Sequence, residues 1–166
     1  MLMIRQMQAF DLPAVVKLQD RCYSAELFEP AELLKRRFSA FPQSCWVACY
    51  QDKLWGYLFS YPGQLGKINA LAADFVQVTT PDCLYLHDMA VSLDARGQGV
   101  AQQLLTTAEQ YAVAQGLNTL ALVAVQNSAS YWQQRGFEIL SSLTATQQQN
   151  LASYSGQQAL YLTKTL

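Results

Sequence analysis

The chain has one histidine, His87, and only 14% of its residues are charged. That scarcity leaves little for a metal centre. Cys45 and Cys49 are close in a strand-like run, but no second pair or nearby histidine completes a ligand set. Cys22, Cys45, Cys49 and Cys83 are therefore expected as reduced, packed thiols. A net charge of −1 excludes a sequence-wide attraction for nucleic acid. The only basic cluster, Lys35-Arg36-Arg37, reads as a solvated helix face. Hydrophobic residues make up 51% of the chain, yet no apolar run approaches the ~20 residues a membrane span requires. Met1–Met7 lacks a basic segment followed by an apolar one, so no secretory signal is read and a cytoplasmic location is expected. A Walker A loop, G-x-x-x-x-G-K-[ST], is missing too. What remains is one domain of 166 residues, long enough to bury about 70% of its unfolded surface.

The stretch from Leu84 to Leu105 carries the chemistry. An apolar run ends at Ser92, a polar turn follows, and Arg96-Gly97-Gln98-Gly99-Val100-Ala101 opens an amphipathic helix. Glycines at such a turn let backbone N–H groups approach a ligand without Cβ interference. The helix N-terminus adds partial positive charge and unpaired donors, and Arg96 adds a fixed charge, so the turn is built for a pyrophosphate. It is not a dinucleotide fingerprint. Gln102 stands where the third Gly or Ala belongs, and the following run, Asn118 to Val125, has no acidic residue.

The rest of the chain alternates. Met3–Met7 reads as a strand, and Asp11 as the cap of a helix carrying Pro13 in its first turn, with Val15, Leu18 and Cys22 on one face. A second helix starts near Pro30 with Leu34, Phe38 and Phe41 on one face. Residues 45–50 and 54–61 form a hairpin, and 63–83 a long connection of the kind that covers a site. Strand 84–92 and helix 99–115 follow, with Gly116 as the stop. Thr119–Val125 is a strand buried on both faces, and Ser128–Gln134 a short helix. Phe137–Leu143 and Ala159–Leu166 are two last strands separated by the polar stretch around Gln147-Gln148-Gln149.

Arg96-x-x-Gly99-x-Ala101 matches the pattern [QR]-x-x-G-x-[GA]. Asn127-Ser-Ala-Ser-Tyr-Trp-Gln-Gln-Arg-Gly-Phe137 is close to N-x-x-A-x-x-[FL]-[YW]-x-x-x-G-F, with one shortening. On these segments the chain resembles the GNAT superfamily of acyl-CoA-dependent N-acyltransferases over roughly residues 84–140, and elsewhere by element order. The resemblance implies a single α/β (α+β) domain over 1–166, with a mixed, mostly antiparallel sheet splayed at its centre and helices on both faces. It implies acetyl-CoA as cosubstrate and no metal. The pantetheine would pair with Met89, Ala90 and Val91, and the pyrophosphate with Arg96, Gly97, Gln98, Gly99, Val100 and Ala101. Asn127 and Trp132 would flank them. Trp132 occupies the place of the family's thiolate-side tyrosine, and indole cannot protonate a thiolate. Tyr85, Tyr154 or water are the alternatives, or else the low pKa of the thiol makes the acid dispensable.

The implied reaction is direct attack of a primary amine, expected to be a small molecule, on the thioester. An imidazole titrates near pH 6.5, and alternation puts Tyr85, His87, Met89 and Val91 on one strand face, so His87 is the candidate base with Tyr85 beside it. Arylalkylamine N-acetyltransferases carry His-x-His on this strand, and Tyr85-Leu86-His87 keeps the second histidine. Asp88 then points the other way, in an orienting role. The loop Tyr23–Glu29 offers Glu26, Phe28 and Glu29 for a cationic amine with an apolar body. The expected partners are thus an amine acceptor, no nucleic acid and no membrane, with a homodimer left open. A CoA-binding or regulatory domain without turnover is the alternative.

Overall fold

The structure is a computed structural model and describes residues 1–23, 27, 29–154 and 158–166. Among them, seven strands form one sheet: β1 (Leu2–Gln6), β2 (Cys45–Tyr50), β3 (Lys53–Gly63), β4 (Cys83–Val91), β5 (Thr119–Ala124), β6 (Glu138–Ile139) and β7 (Leu160–Thr165). Their spatial order is β1-β2-β3-β4-β5-β7-β6, and every pairing is antiparallel except β4 with β5. Among the described residues five α-helices accompany the sheet: α1 (Leu12–Cys22), α2 (Ala31–Ala40), α3 (Val100–Ala114), α4 (Ala129–Gln133) and α5 (Ala145–Ala152).

Two apolar layers fix which helix covers which face. Val15 and Leu18 of α1 and Leu34 of α2 pack with Val47, Phe59, Tyr85 and Ala90 on one side. Val100, Leu104, Leu105, Ala108 and Ala112 of α3 pack with Leu58, Leu84, Leu86, Leu120 and Leu122 on the other. Each fully buried leucine contributes about 1.5–3 kcal/mol. Leu104, at 0% exposure, is a site where Leu104→Ala costs about 2–5 kcal/mol. Helix α3 ends where Gly116 turns to φ +75° and Leu117 N–H donates back to Ala112 O at 2.8 Å, a glycine-capped C-terminus.

Three local expectations are corrected. Asp11 stands before α1 but does not cap it. Its carboxylate instead takes Gln8 N–H at 2.7 Å and a two-pronged contact from Arg5 at 2.8 Å. The strand expected over Phe137–Leu143 shrinks to Glu138–Ile139. The Gln-rich stretch is helix α5, opened by a capping box in which Thr144 Oγ1 takes Gln147 N–H and Gln147 Oε1 takes Thr144 N–H. The connection 64–82 has no regular element, but Ile68 and Phe75 are buried and anchor it over the α1/α2 side of the sheet.

Candidate active site

The parallel pair β4 and β5 supplies the opening. Their register runs Leu84↔Leu120, Tyr85↔Ala121, Leu86↔Leu122 and stops there, while β4 stays paired to β3 through Val91. Ser92 N–H donates to Trp55 O, so by the alternation of an antiparallel ladder the backbones of Met89 and Val91 turn away from β3 into the gap. Such groups need partners. Tyr23 Oη already donates to Met89 O at 2.9 Å, and Cys22 Sγ lies 3.5 Å from Val91 O.

A bulge reorganises β4 at the same place. Phe59 faces Asp88 and Ser60 faces Leu86, so His87 is the extra residue. The single-face expectation for Tyr85, His87, Met89 and Val91 therefore fails. Tyr85 and Ala90 pack with the α1/α2 layer, whereas Met89 and Val91 pack with the α3 layer. Asp88 moves onto the Tyr85 side, where Tyr57 Oη donates to its Oδ2 at 2.9 Å. One inserted residue reverses the alternation after it.

A cavity of about 670 Å³ fills the gap, within the usual range for small-molecule sites. At its mouth are Arg96, Gly97, Gly99, Val100 and Ala101, joined by Gln102. Gly97 and Gly99 sit at φ +80° and +76°, and a Cβ on either would meet nothing within 4 Å. The turn is thus an open cradle held by positive φ, not by crowding. Gln103 N–H makes the helix's bond to Gly99 O, which leaves the first-turn N–H groups of Val100, Ala101 and Gln102 for a ligand. Gln98 is absent from the wall, and its N–H donates to Ala95 O at 3.2 Å. Asn127 is also off the wall, between Gln126 and Ser128, which are on it. Gln126 and Asn127 take φ +54° and +59°, strained values for side-chain-bearing residues and of a kind that clusters at functional sites.

The inner end holds an ion cluster whose arginine the sequence reading placed in solvent. Arg37 of α2 is 1% exposed. Its Nη1 donates to Glu29 Oε1 at 2.6 Å, and Nε and Nη2 donate to Ala73 O at 3.1 and 2.6 Å. Its guanidinium carbon lies 4.9 Å from the Phe75 ring centre. Of the basic triplet, Arg36 pairs with exposed Asp74, so only Arg37 departs from the solvated expectation. The signal was available: Leu33, Leu34, Arg37, Phe38 and Phe41 share one helical face. A cation on such a stripe needs a buried partner.

Glu29 is that partner. Its Oε2 also accepts Ala72 N–H at 3.2 Å. Burial alone would raise this carboxyl, but its contacts with His87 and Arg37 overcome it and hold the group down at about 2. Both oxygens are engaged by the protein, so Glu29 is not a free carboxylate awaiting a cationic amine. Glu26 and Phe28, the other acceptor candidates, lie outside the described residues. His87 lines the cavity, with Nε2 at 2.8 Å from Arg37 Nη1 and 3.1 Å from Glu29 Oε1.

Tyr85 is 3% exposed and is not on the wall of the large cavity. Burial, and contact with the Tyr154 and Tyr61 hydroxyls, push its phenol far up. Tyr154, just after α5, does reach the cavity, and burial pushes it to about 12. Trp132 of α4 lines the wall and packs edge-on against Phe137 and Tyr131. Arg135 lies 3.6 Å over the Tyr131 ring. Asp88 is buried on the wall, its pKa raised by burial against the opposing pull of His87, Tyr23 and Tyr57, and its Oδ1 has no partner among the described residues. Among those residues no cluster of three His, Cys, Asp or Glu could hold a metal ion, and no helix is long and apolar enough to cross a membrane.

Comparison with known proteins agrees with this geometry. The model of the acetyltransferase (GNAT) family matches residues 12–137. Among curated proteins, none matches the chain. The loading GNATL domain of CurA from Lyngbya majuscula is similar at 15% identity and a TM-score of 0.78, covering 99% of this chain and 98% of that one. The GphF GNAT-like decarboxylase in complex with isobutyryl-CoA gives 16% and 0.79, with 98% of both chains covered. The ribosomal-protein-S18-alanine N-acetyltransferase from Escherichia coli gives 16% and 0.69, over 99% of this chain and 94% of that one. At these identities the likeness is one of fold.

Proposed function

The chain belongs to the acetyltransferase (GNAT) family, and from that premise we propose that it transfers an acetyl group from acetyl-CoA to a primary amine on a small molecule. The observation that carries this reading is the cavity between β4 and β5, which runs from the Arg96–Ala101 cradle to His87 and Glu29. A pyrophosphate fits the mouth, where N–H groups of a helix start and Arg96 converge over two glycines with open space above them. A pantetheine arm fits the free edge of β4, whose Met89 and Val91 backbones face the gap.

The chemistry is direct transfer. The uncharged amine nitrogen forms a bond to the thioester carbon as the carbonyl π electrons move to oxygen, which an N–H on the β4 edge can steady. Collapse breaks the C–S bond, the thiolate leaves with the electron pair, and the proton carried by the nitrogen passes to water, so one proton is lost from nitrogen for the one gained by sulfur. The products are the amide and the free CoA thiol. Trp132 cannot protonate that thiolate. The phenols of Tyr131 and Tyr154, both on the wall, are the protein's own donors for it.

The acceptor end favours an apolar amine. Leu27, Leu71, Tyr23 and Tyr154 line it, and Glu29 is neutralised by Arg37. The test is release of free thiol from acetyl-CoA across an amine library, with calorimetry for CoA alone. Turnover on small amines with apolar bodies supports the reading. CoA binding without thiol release for any amine would make the domain a CoA-binding module, and activity confined to anionic acceptors or protein N-termini would refute the acceptor class.

A further inference from the structure

The nitrogen of His87 that meets Arg37 is not free to choose its protonation. A guanidinium has N–H donors and no acceptor. A separation of 2.8 Å between Arg37 Nη1 and His87 Nε2 is a hydrogen bond only if Nε2 offers its lone pair. The competing arrangement puts the proton on Nε2, where it would donate to Glu29 Oε1 at 3.1 Å and help to hold that carboxyl down. But it sets two N–H groups against each other across the shorter 2.8 Å separation. Arg37 cannot turn aside, because Nε and Nη2 are fixed on Ala73 O and Nη1 on Glu29. Glu29 is held in turn by Ala72 N–H. The other ring nitrogen, Nδ1, has no partner among the described residues, and the side chain lines the cavity.

We infer that Arg37 fixes His87 as the Nδ1–H tautomer, so that His87 meets the cavity as a hydrogen-bond donor and not as a base. Arg37 and Glu29 are positioning residues for it. The groups around the imidazole are Glu29, Arg37, the adjoining Asp88, and the rings of Phe75 at 5.2 Å and Tyr85 at 6.2 Å. None of them gives Nδ1 a recorded acceptor, so that N–H is left for an oxygen of whatever occupies the inner cavity. This replaces the role of base expected from the sequence. It rests on the proposed acyl transfer only for which oxygen is met.

His87 is the only histidine, so nitrogen NMR of the ¹⁵N-histidine-labelled free protein reads its tautomer without assignment. The expected spectrum has a proton on Nδ1 and none on Nε2, and Arg37→Met should convert it to a mixture of tautomers. A wild-type spectrum with the proton on Nε2 would overturn the inference. The measurement needs neither CoA nor an amine, so a failure of the proposed function, seen as no CoA binding in calorimetry, stays separate from a failure here. In turnover, His87→Asn keeps an N–H near the Nδ1 position and His87→Ala does not. A donor predicts that Ala loses roughly 10²-fold in kcat, as for removal of an oxyanion donor, while Asn stays within about tenfold of wild type. Equal losses in both variants would restore the base.

Discussion

Glu29→Gln tests the buried cluster quantitatively, because glutamine keeps the shape of the protonated acid and removes only the charge. Glu29 is held at about 2 against an ordinary value of 4.5. At roughly 1.4 kcal/mol per pH unit, that difference stabilises the folded chain by about 3 kcal/mol. The folded value is the depressed one, so the contribution is complete above pH 4.5 and is lost as the pH falls toward 2. Glutamine leaves Arg37 buried without its counter-ion, a change of the kind that costs about 3–5 kcal/mol. Urea unfolding followed by tryptophan fluorescence at pH 7 should therefore show Glu29→Gln less stable by about 3 kcal/mol, or roughly 6–12 °C in Tm for a chain this long. At pH 3 the gap should narrow to about half, since the unfolded chain's carboxyl is by then almost wholly protonated while the folded one is still mostly ionised. A gap of constant size from pH 7 to pH 3 would refute the reasoning and assign the effect to packing alone.

Other perturbations separate cradle, bulge and core. Gly99→Val forces a β-branched residue into φ +76° and should raise the CoA dissociation constant at least about tenfold, or 1.4 kcal/mol; unchanged affinity in calorimetry of a folded variant would count against the cradle. Asp88 has a raised pKa, so its ionisation opposes folding as pH rises above the ordinary 3.8. Asp88→Asn should then gain on the wild type as the pH rises through and above 3.8 in urea melts, and a parallel course would refute the shift. Tyr57→Phe removes the donor to Asp88 Oδ2 and should cost about 1–3 kcal/mol; an unchanged urea midpoint would deny that bond a stabilising part. If Tyr154 supplies the thiolate's proton, Tyr154→Phe lowers kcat by roughly 10²-fold or more with KM for acetyl-CoA unchanged, and full turnover passes the role to Tyr131 or solvent.

Local patterns carried much of the fold into plain view. Helix α3 was legible because Val100, Leu104, Leu105, Ala108 and Ala112 recur at helical spacing and Gly116 stops it. Helix α5 was equally encoded, in Thr144-x-x-Gln147, but its glutamines hid it by reading as a polar spacer. The failure at β4 was of another kind. The residues of Cys83–Val91 alternate normally in the sequence, and the bulge at His87 exists only as a mismatch with Phe59 and Ser60 of β3. A single strand does not record how its partner is registered.

The sequence by itself determined most of the elements, the glycine turn at Arg96–Ala101 and the family, because these depend on contacts between neighbours a few residues apart. Gly97 and Gly99 need no distant residue to take positive φ, and Arg96 stands beside them on any fold that makes this turn. Only the tertiary structure decided what His87 is able to do. Glu29, Arg37, Ala73 and His87 come from four separate segments, and removing them from water makes each charge and hydrogen bond depend on the others. That coupling turns a surface-looking arginine into the group that sets a histidine's proton, and it exists only once β4 packs against α2 and the 64–82 connection.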